Sequence, residues 1–284
     1  MRWCVCGLWV LLFTGSDLFA QPMSDLGFAD HLYHQHDYYR AVTEYQRLLS
    51  GGVSPSLRDS IHYRLGWAYY QGQFWKQSAY HFEQIEQDSL ATPALQRAAG
   101  LMVADVYLRA DQPKLGLRAL RQCEENHPHW AYLMGWAYLQ LRKWREAQCW
   151  FEQAGQQAHS EDVRLRCDAL SSLSLHGETL PQKSPEVAGF LSAVVPGLGL
   201  IYAGKRQKGL LALLLNGVCA YYTVDALRGE RYGEAGAIVV LLWRRYYEGT
   251  LRNSIQAAHQ FNREQYQSFY EHAAAYRITL PEDF

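Results

Sequence analysis

A few clusters in this 284-residue chain have the residue types that chemistry uses. His31, His34 and His36 stand beside Asp37. A helix would set His31 and His34 on one face. Imidazole and carboxylate are metal ligands, but no fourth ligand stands at zinc-like spacing, so these read as surface histidines. His127 and His129 flank Pro128 and read as exposed loop residues. Gly197-Leu198-Gly199, with Gly204 after it, is not a dinucleotide fingerprint. Tyr202 occupies the third glycine's place and no strand precedes the run. Lys205-Arg206-Gln207-Lys208 lacks the Gly-Lys-Ser/Thr of a phosphate loop and reads as an orientation signal with lipid-headgroup contact. No GxSxG, HExxH or Cys/His pair with a placed third member is present. Asp225 ends an apolar run and reads as an interfacial cap. The expectation is a protein that is not an enzyme, with no cofactor and no metal.

Charge narrows the partners. The chain has a net charge of −1. Residues 1–180 carry 16 basic and 19 acidic residues, and residues 181–284 carry 11 and 9. The basic excess therefore lies with the C-terminal apolar runs. No long basic stripe with stacking aromatics is visible, which argues against nucleic acid and for an anionic membrane surface.

The N-terminus, MRWCVCGLWVLLFTGSDLFAQP, has the form of a secretory leader. Arg2 is its positive start and Trp3 to Phe13 its apolar core. Residues 1–22 are expected to be removed, with an uncleaved anchor as the alternative. Cys4 and Cys6 stand in no lipobox-like position. Export permits disulfides, and Cys123, Cys149 and Cys167 are the candidates for one pair. Cys219 lies inside an apolar run and reads as a small buried hydrophobe.

Residues 24–177 repeat themselves. Leu65-Gly66-Trp67-Ala68-Tyr69 is nearly matched by Met134-Gly135-Trp136-Ala137-Tyr138. Phe82 follows the first copy and Phe151 the second at the same offset, with Ser78 and Ala147 also matched. Weaker copies surround Ala29 and Ala104. This grammar resembles the tetratricopeptide repeat. The resemblance implies paired antiparallel helices that cross closely at small residues. It departs from the family in spacing: Ala29, Gly66, Ala104 and Gly135 are separated by 37, 38 and 31 residues. The resemblance makes Gly66, Tyr69, Phe82, Gly135, Tyr138, Ala147 and Phe151 the repeat-packing positions. It also implies a concave face that binds a protein partner, for which Tyr33, Arg64, Tyr70, Arg109 and Gln140 are the candidates. A helix from Ser160-Glu161-Asp162 to about Leu175 would cap the stack.

Residues 178–186 read as a linker, rich in Pro, Gly and Ser around it. Beyond it lie two charge-free apolar runs, Val187–Gly204 and Gly209–Val224, separated by Lys205, Arg206 and Lys208. They would extend roughly 27 and 24 Å as helices, at or below the limit for crossing a bilayer core. The expectation is a membrane hairpin, tightly crossed or re-entrant. Pro196, Gly197, Gly199, Tyr202 and Gly204 form a PGxGxxYxG pattern which, followed by Gly209 and an apolar run, is similar to small bacterial two-helix membrane domains. Tetratricopeptide proteins ending in such a domain resemble a bacterial envelope family, some of it associated with a membrane-protein insertion efficiency factor. Ala235–Trp243 is a third, short apolar run leading into Arg244, Arg245 and aromatics. Small and aromatic residues from Tyr247 to Asn262 could dock that helix on the hairpin.

The reading is therefore all-α. A helical-repeat solenoid (24–177) precedes a membrane hairpin with its associated helix (187–262) and a polar tail (263–284). Lys205, Arg206, Lys208, Arg244 and Arg245 set topology and touch lipid, on the cytoplasmic side if the first run crosses. The function expected is a membrane-anchored interaction scaffold in the bacterial envelope, its repeats in the periplasm or exterior. The alternative is a component of a transport or membrane-protein insertion machine whose hairpin does the work.

Overall fold

The computed structural model describes residues 25–123 and 128–280. The expected leader, Cys4, Cys6 and His127 lie outside them. The described residues are all-helical, with consecutive helices packed on one another and no strand. The chain divides into two compact units, one through Ala110 and one from Asp111 to Pro281. The expected linker at 178–186 lies inside the second unit rather than between the two.

The first unit holds α1 (Asp25–His34), α2 (Tyr38–Ser50), α3 (Pro55–Gln71), α4 (Trp75–Gln87) and α5 (Pro93–Arg109). The second begins with α6 (Pro113–Leu120), α7 (Pro128–Gln140), α8 (Trp144–Gln157) and α9 (Glu161–Gly177). Prolines open α3, α5 and α6, where the missing N–H costs nothing and φ is preset. Two pairs, α3 with α4 and α7 with α8, close where a glycine meets a ring. A Cβ on Gly66 would stand 2.7 Å from the Phe82 ring, and one on Gly135 would stand 2.7 Å from the Phe151 ring. Tyr63 and Trp67 set their edges on Phe82. Tyr132 and Trp136 do the same to Phe151. Ser78 Oγ donates to Gly66 O at 2.8 Å, so even the polar residue of this crossing is satisfied by the partner backbone. Ala147 fills the matching place in the second copy and is fully buried.

The second unit continues with α10 (Pro185–Val194), α11 (Leu198–Tyr202) and α12 (Arg206–Arg228). Then α13 (Tyr232–Ala237) runs through a π-helical stretch, Ile238–Trp243, into α14 (Arg244–Ala274). Backbone angles stay right-handed helical at both joints, so this is one rod. No proline interrupts it, and the expected boundary at residue 263 falls within α14. The first apolar run is not one helix. Val195 is extended ahead of Pro196, as a residue before proline prefers, and Gly197 is left-handed. α10 descends along α14 and α11 returns. Lys183 N and O both bond the Asn262 side chain, each at 2.8 Å, and Tyr247 Oη donates to Ala193 O at 2.7 Å near the far end. The two pieces form a V with both ends near Asn262.

One turn recurs in both units. His36, Gln73, Arg142 and Glu230 have φ between 58° and 62°, and Gly204 has φ 88°. In each case the next residue's N–H reaches back six-to-one, as in Phe74 N to Tyr69 O and Lys205 N to Leu200 O. This is the Schellman closure, which places one residue in the left-handed region. Gln73 is exposed and carries a Cβ there. Gln73→Gly should therefore raise the stability of the full chain by up to about 1 kcal/mol, read as a higher midpoint in thermal unfolding. An unchanged or lower midpoint would show that the left-handed cost is not expressed.

Candidate functional site

In the first unit the expected groove residues divide. Tyr33 and Arg64 line one cleft of about 290 Å³ with Asp30, Tyr45, Tyr63 and Trp67. Asp30 organises it, since its Oδ1 accepts from Tyr45 Oη at 2.6 Å and from Arg64 Nε at 2.8 Å. Trp67 is buried and its Nε1–H has no acceptor. Tyr70 and Arg109 are not in this cleft lining. Both are spent on the buried Asp105, whose Oδ2 receives Tyr70 Oη at 2.5 Å and Arg109 Nε at 2.9 Å. Tyr70, expected on the partner-binding face, is buried instead, because its hydroxyl hydrogen-bonds an otherwise costly buried carboxylate.

The histidine chemistry lies elsewhere than expected. His62 and His81 approach Nδ1 to Nδ1 at 3.0 Å, and His81 stacks on Tyr69. Burial, with His62 beside it, pushes His81 down to about 4, and burial lowers His62 too, so near neutrality both rings are uncharged and one Nδ1–H donates to the other Nδ1. His36 Nδ1 bonds Tyr38 Oη. No group of three metal-ligand side chains forms among the described residues. Among the described residues no disulfide links Cys123, Cys149, Cys167 and Cys219.

In the second unit the surface of α7 and α8 is already covered. The C-terminal part of α14 lies on it. Phe269 sets its edge on Trp144 and Tyr270 on Trp136, at ring separations of 5.2 and 6.0 Å. Gln140 Nε2 donates to Tyr270 Oη at 2.7 Å, and Tyr266 Oη donates to Gln140 O. Gln140, expected to be open to a partner, is covered by the chain itself. The Arg142 guanidinium lies over Tyr266, whose hydroxyl burial pushes up to about 12. The following segment stays on the same surface: Ile278 N bonds Tyr132 Oη, and Arg277 covers Trp136. The spacing Tyr266, Phe269, Tyr270, Ala273 is an apolar helical stripe. It was visible in the sequence of the expected tail but had no assigned counter-surface.

The PGxGxxYxG residues assemble where α10, α11 and α12 meet. A Cβ on Gly199 would overlap the Ala188 carbonyl, and one on Gly197 the Gly209 carbonyl. Gly199 N bonds Ser192 Oγ, which in turn meets Ser254 Oγ of α14 at 2.6 Å. Tyr202 Oη accepts from Ser184 N, with Lys183 over its ring. Among the expected topology cations, Lys205, Lys208 and Arg245 line one groove between α12 and α14, and Arg206 and Arg244 do not. Arg244 instead pairs with Glu248 at 3.0 Å.

α12 is built inside out. Its buried positions are Gly209, Asn216, Cys219, Thr223 and Ala226. Leu210, Leu211, Leu214, Val218 and Tyr221 are exposed. Val240, Leu241 and Leu242 on the rod, and Phe190 and Val194 on α10, are exposed as well. α12 is the one helix among the described residues long and apolar enough to cross a bilayer.

The docked rod end should carry stability. Phe269→Ala should cost about 3 kcal/mol and speed hydrogen exchange across 264–280, leaving α3 and α4 unchanged. Unaltered exchange at 276–280 would mean that the stripe does not hold that segment. No family model matches this chain, and neither a curated protein nor a solved structure does.

Proposed function

We propose that this protein is a membrane-seated interaction scaffold of the bacterial envelope. In this reading the helical pairs form a tetratricopeptide-like solenoid, and the cleft around Asp30, Tyr33, Arg64 and Trp67 takes an extended segment of a protein partner. The observation that carries the membrane half is the inversion of α12. A helix in water turns its large aliphatic residues inward. α12 turns Gly, Asn, Cys, Thr and Ala inward and its leucines outward. Small and hydroxyl residues at the helix interface, with aliphatic side chains facing outward, fit a lipid solvent. The polar side chains serve their own backbone, as when Thr223 Oγ1 bonds Cys219 O and Asn216 Nδ2 bonds Ala212 O. That arrangement suits a solvent offering no hydrogen bonds.

The V of α10 and α11 fits a re-entrant pair rather than a first crossing. Ten and five residues are too short to span. α7 to α9 then lie at the Lys205 end of α12. The leader places that end outside the cytoplasm, whereas the loop cations favour the inside. We take the leader to decide, because the first signal in the chain usually dominates. The re-entrant geometry also supports the second reading, an insertion or transport component, in which the groove beside α12 is the working surface.

Two measurements test this. The full chain should float with neutral phosphatidylcholine vesicles and resist extraction at high pH, and Leu210→Ser/Leu214→Ser/Val218→Ser should abolish flotation while far-UV dichroism stays helical. Recovery of the unaltered chain in the soluble fraction would sink the membrane reading. Cys149 is exposed, so a membrane-impermeant maleimide should label it in intact cells with a permeabilised outer layer, and Cys149→Ser should remove the label. Labelling only after the inner membrane is broken would reverse the orientation.

A further inference from the structure

The groove between α12 and α14 holds about 460 Å³, the size of a small-ligand pocket. Three cations line it, Lys205, Lys208 and Arg245, and no carboxylate does. Glu264 approaches Lys205 at 3.8 Å, but among the described residues neither Lys208 nor Arg245 has an ion-pair partner. Glu248, the acid nearest Arg245 in sequence, is engaged by Arg244 and Arg252. Lys208 and Arg245 leave uncompensated positive charge on one groove, and that potential favours an anion.

The remaining polar lining is amide. Asn253, Gln256 and Gln260 come from α14 and Asn216 from α12. Asn216 is only 5% exposed. Its Nδ2 is used on Ala212 O, and its buried Oδ1 has no donor. Leaving a buried acceptor unmet costs about 1–3 kcal/mol. A donor from a bound molecule would satisfy it. The groove therefore asks for an anionic group with a hydroxyl attached. One wall decides the source. Leu211 lines the groove and also belongs to the exposed aliphatic face of α12. A ligand seated here with hydrocarbon chains would lay them on that face.

We propose that this groove binds the headgroup of an anionic, hydroxyl-bearing glycerophospholipid. The phosphate sits by Lys208 and Arg245, the two lining cations without an ion-pair partner, the hydroxyl donates to Asn216, and the acyl chains run along α12. The proposal rests on α12 lying in the bilayer. Free phosphate shares the charge chemistry but has no use for the aliphatic wall.

The test uses the full chain in a nonionic detergent. Native mass spectrometry and thermal shift would follow titration with short-chain phosphatidylglycerol, short-chain phosphatidylcholine and inorganic phosphate. Phosphatidylglycerol should bind and raise the melting temperature, and the other two should not at the same concentration. Lys208→Gln/Arg245→Gln should weaken it about tenfold or more, whereas Lys208→Arg/Arg245→Lys should keep binding and Arg206→Gln should change nothing. Equal binding of both lipids, or indifference to the double Gln variant with its helicity intact, overturns the site. Binding of inorganic phosphate as tight as the lipid overturns the lipid as its source. A chain that floats with neutral vesicles yet shows no headgroup preference fails this proposal alone, whereas one that needs no detergent fails the membrane reading beneath it.

Discussion

The structure depends on places where one helix has no side chain so that another can touch its backbone. Gly66 and Gly135 each face a phenyl ring at a distance no Cβ would permit. Gly197, Gly199 and Gly209 face backbone carbonyls or one another just as tightly. The difference lies in the opposing group. In the repeat pairs a ring fills the gap, so the crossing gains dispersion and burial. At the V of α10 and α11 backbone meets backbone, and hydroxyls of Ser192 and Ser254 complete the contact. The first solution suits a core that water drives together. The second works where the surrounding solvent is as apolar as the side chains.

The same contrast runs through the second unit. Its repeat-like part buries Trp136, Phe151 and Leu133 fully. Its apolar part buries alanine, serine and glycine and exposes leucine. The rod from Tyr232 to Ala274 joins them, since one end carries Val240 and Leu241 outward and the other carries Tyr266, Phe269 and Tyr270 onto Trp136 and Trp144. The π-helical stretch at Ile238–Trp243 lies on the exposed-apolar end. Such stretches re-aim side chains over a single turn. Arg245 follows directly after it and lines the groove.

The rod also redefines which surface is open to a partner. A helical stack offers grooves along its length. In the second unit the groove at Gln140 is filled by aromatic residues 126 and 130 positions further on. In the first unit the cleft at Asp30 keeps Trp67 Nε1 unsatisfied. A self-filled groove and an open one can thus share a repeat grammar and differ in use.

Local patterns determined much of this. The Gly-Trp-Ala-Tyr copies carried the helix pairs because crossing geometry needs a small residue at a fixed offset from a ring, and both lie within a short stretch of chain. The PGxGxxYxG residues marked a break for the same local reason, since proline and a left-handed glycine interrupt a helix wherever they stand. Long-range contacts decided the rest. Nothing near Val187 shows that α10 doubles back, because Asn262 holds Lys183 from 79 residues away. Nothing near Gln140 shows that Tyr270 covers it. Nothing near Lys208 shows that Arg245 shares its groove. The sequence by itself determined helix, break and apolar run, which are properties of neighbours along the chain. Only the tertiary structure decided which faces are covered, because burial depends on what arrives from elsewhere. In α12 that showed the leucines to lie outside.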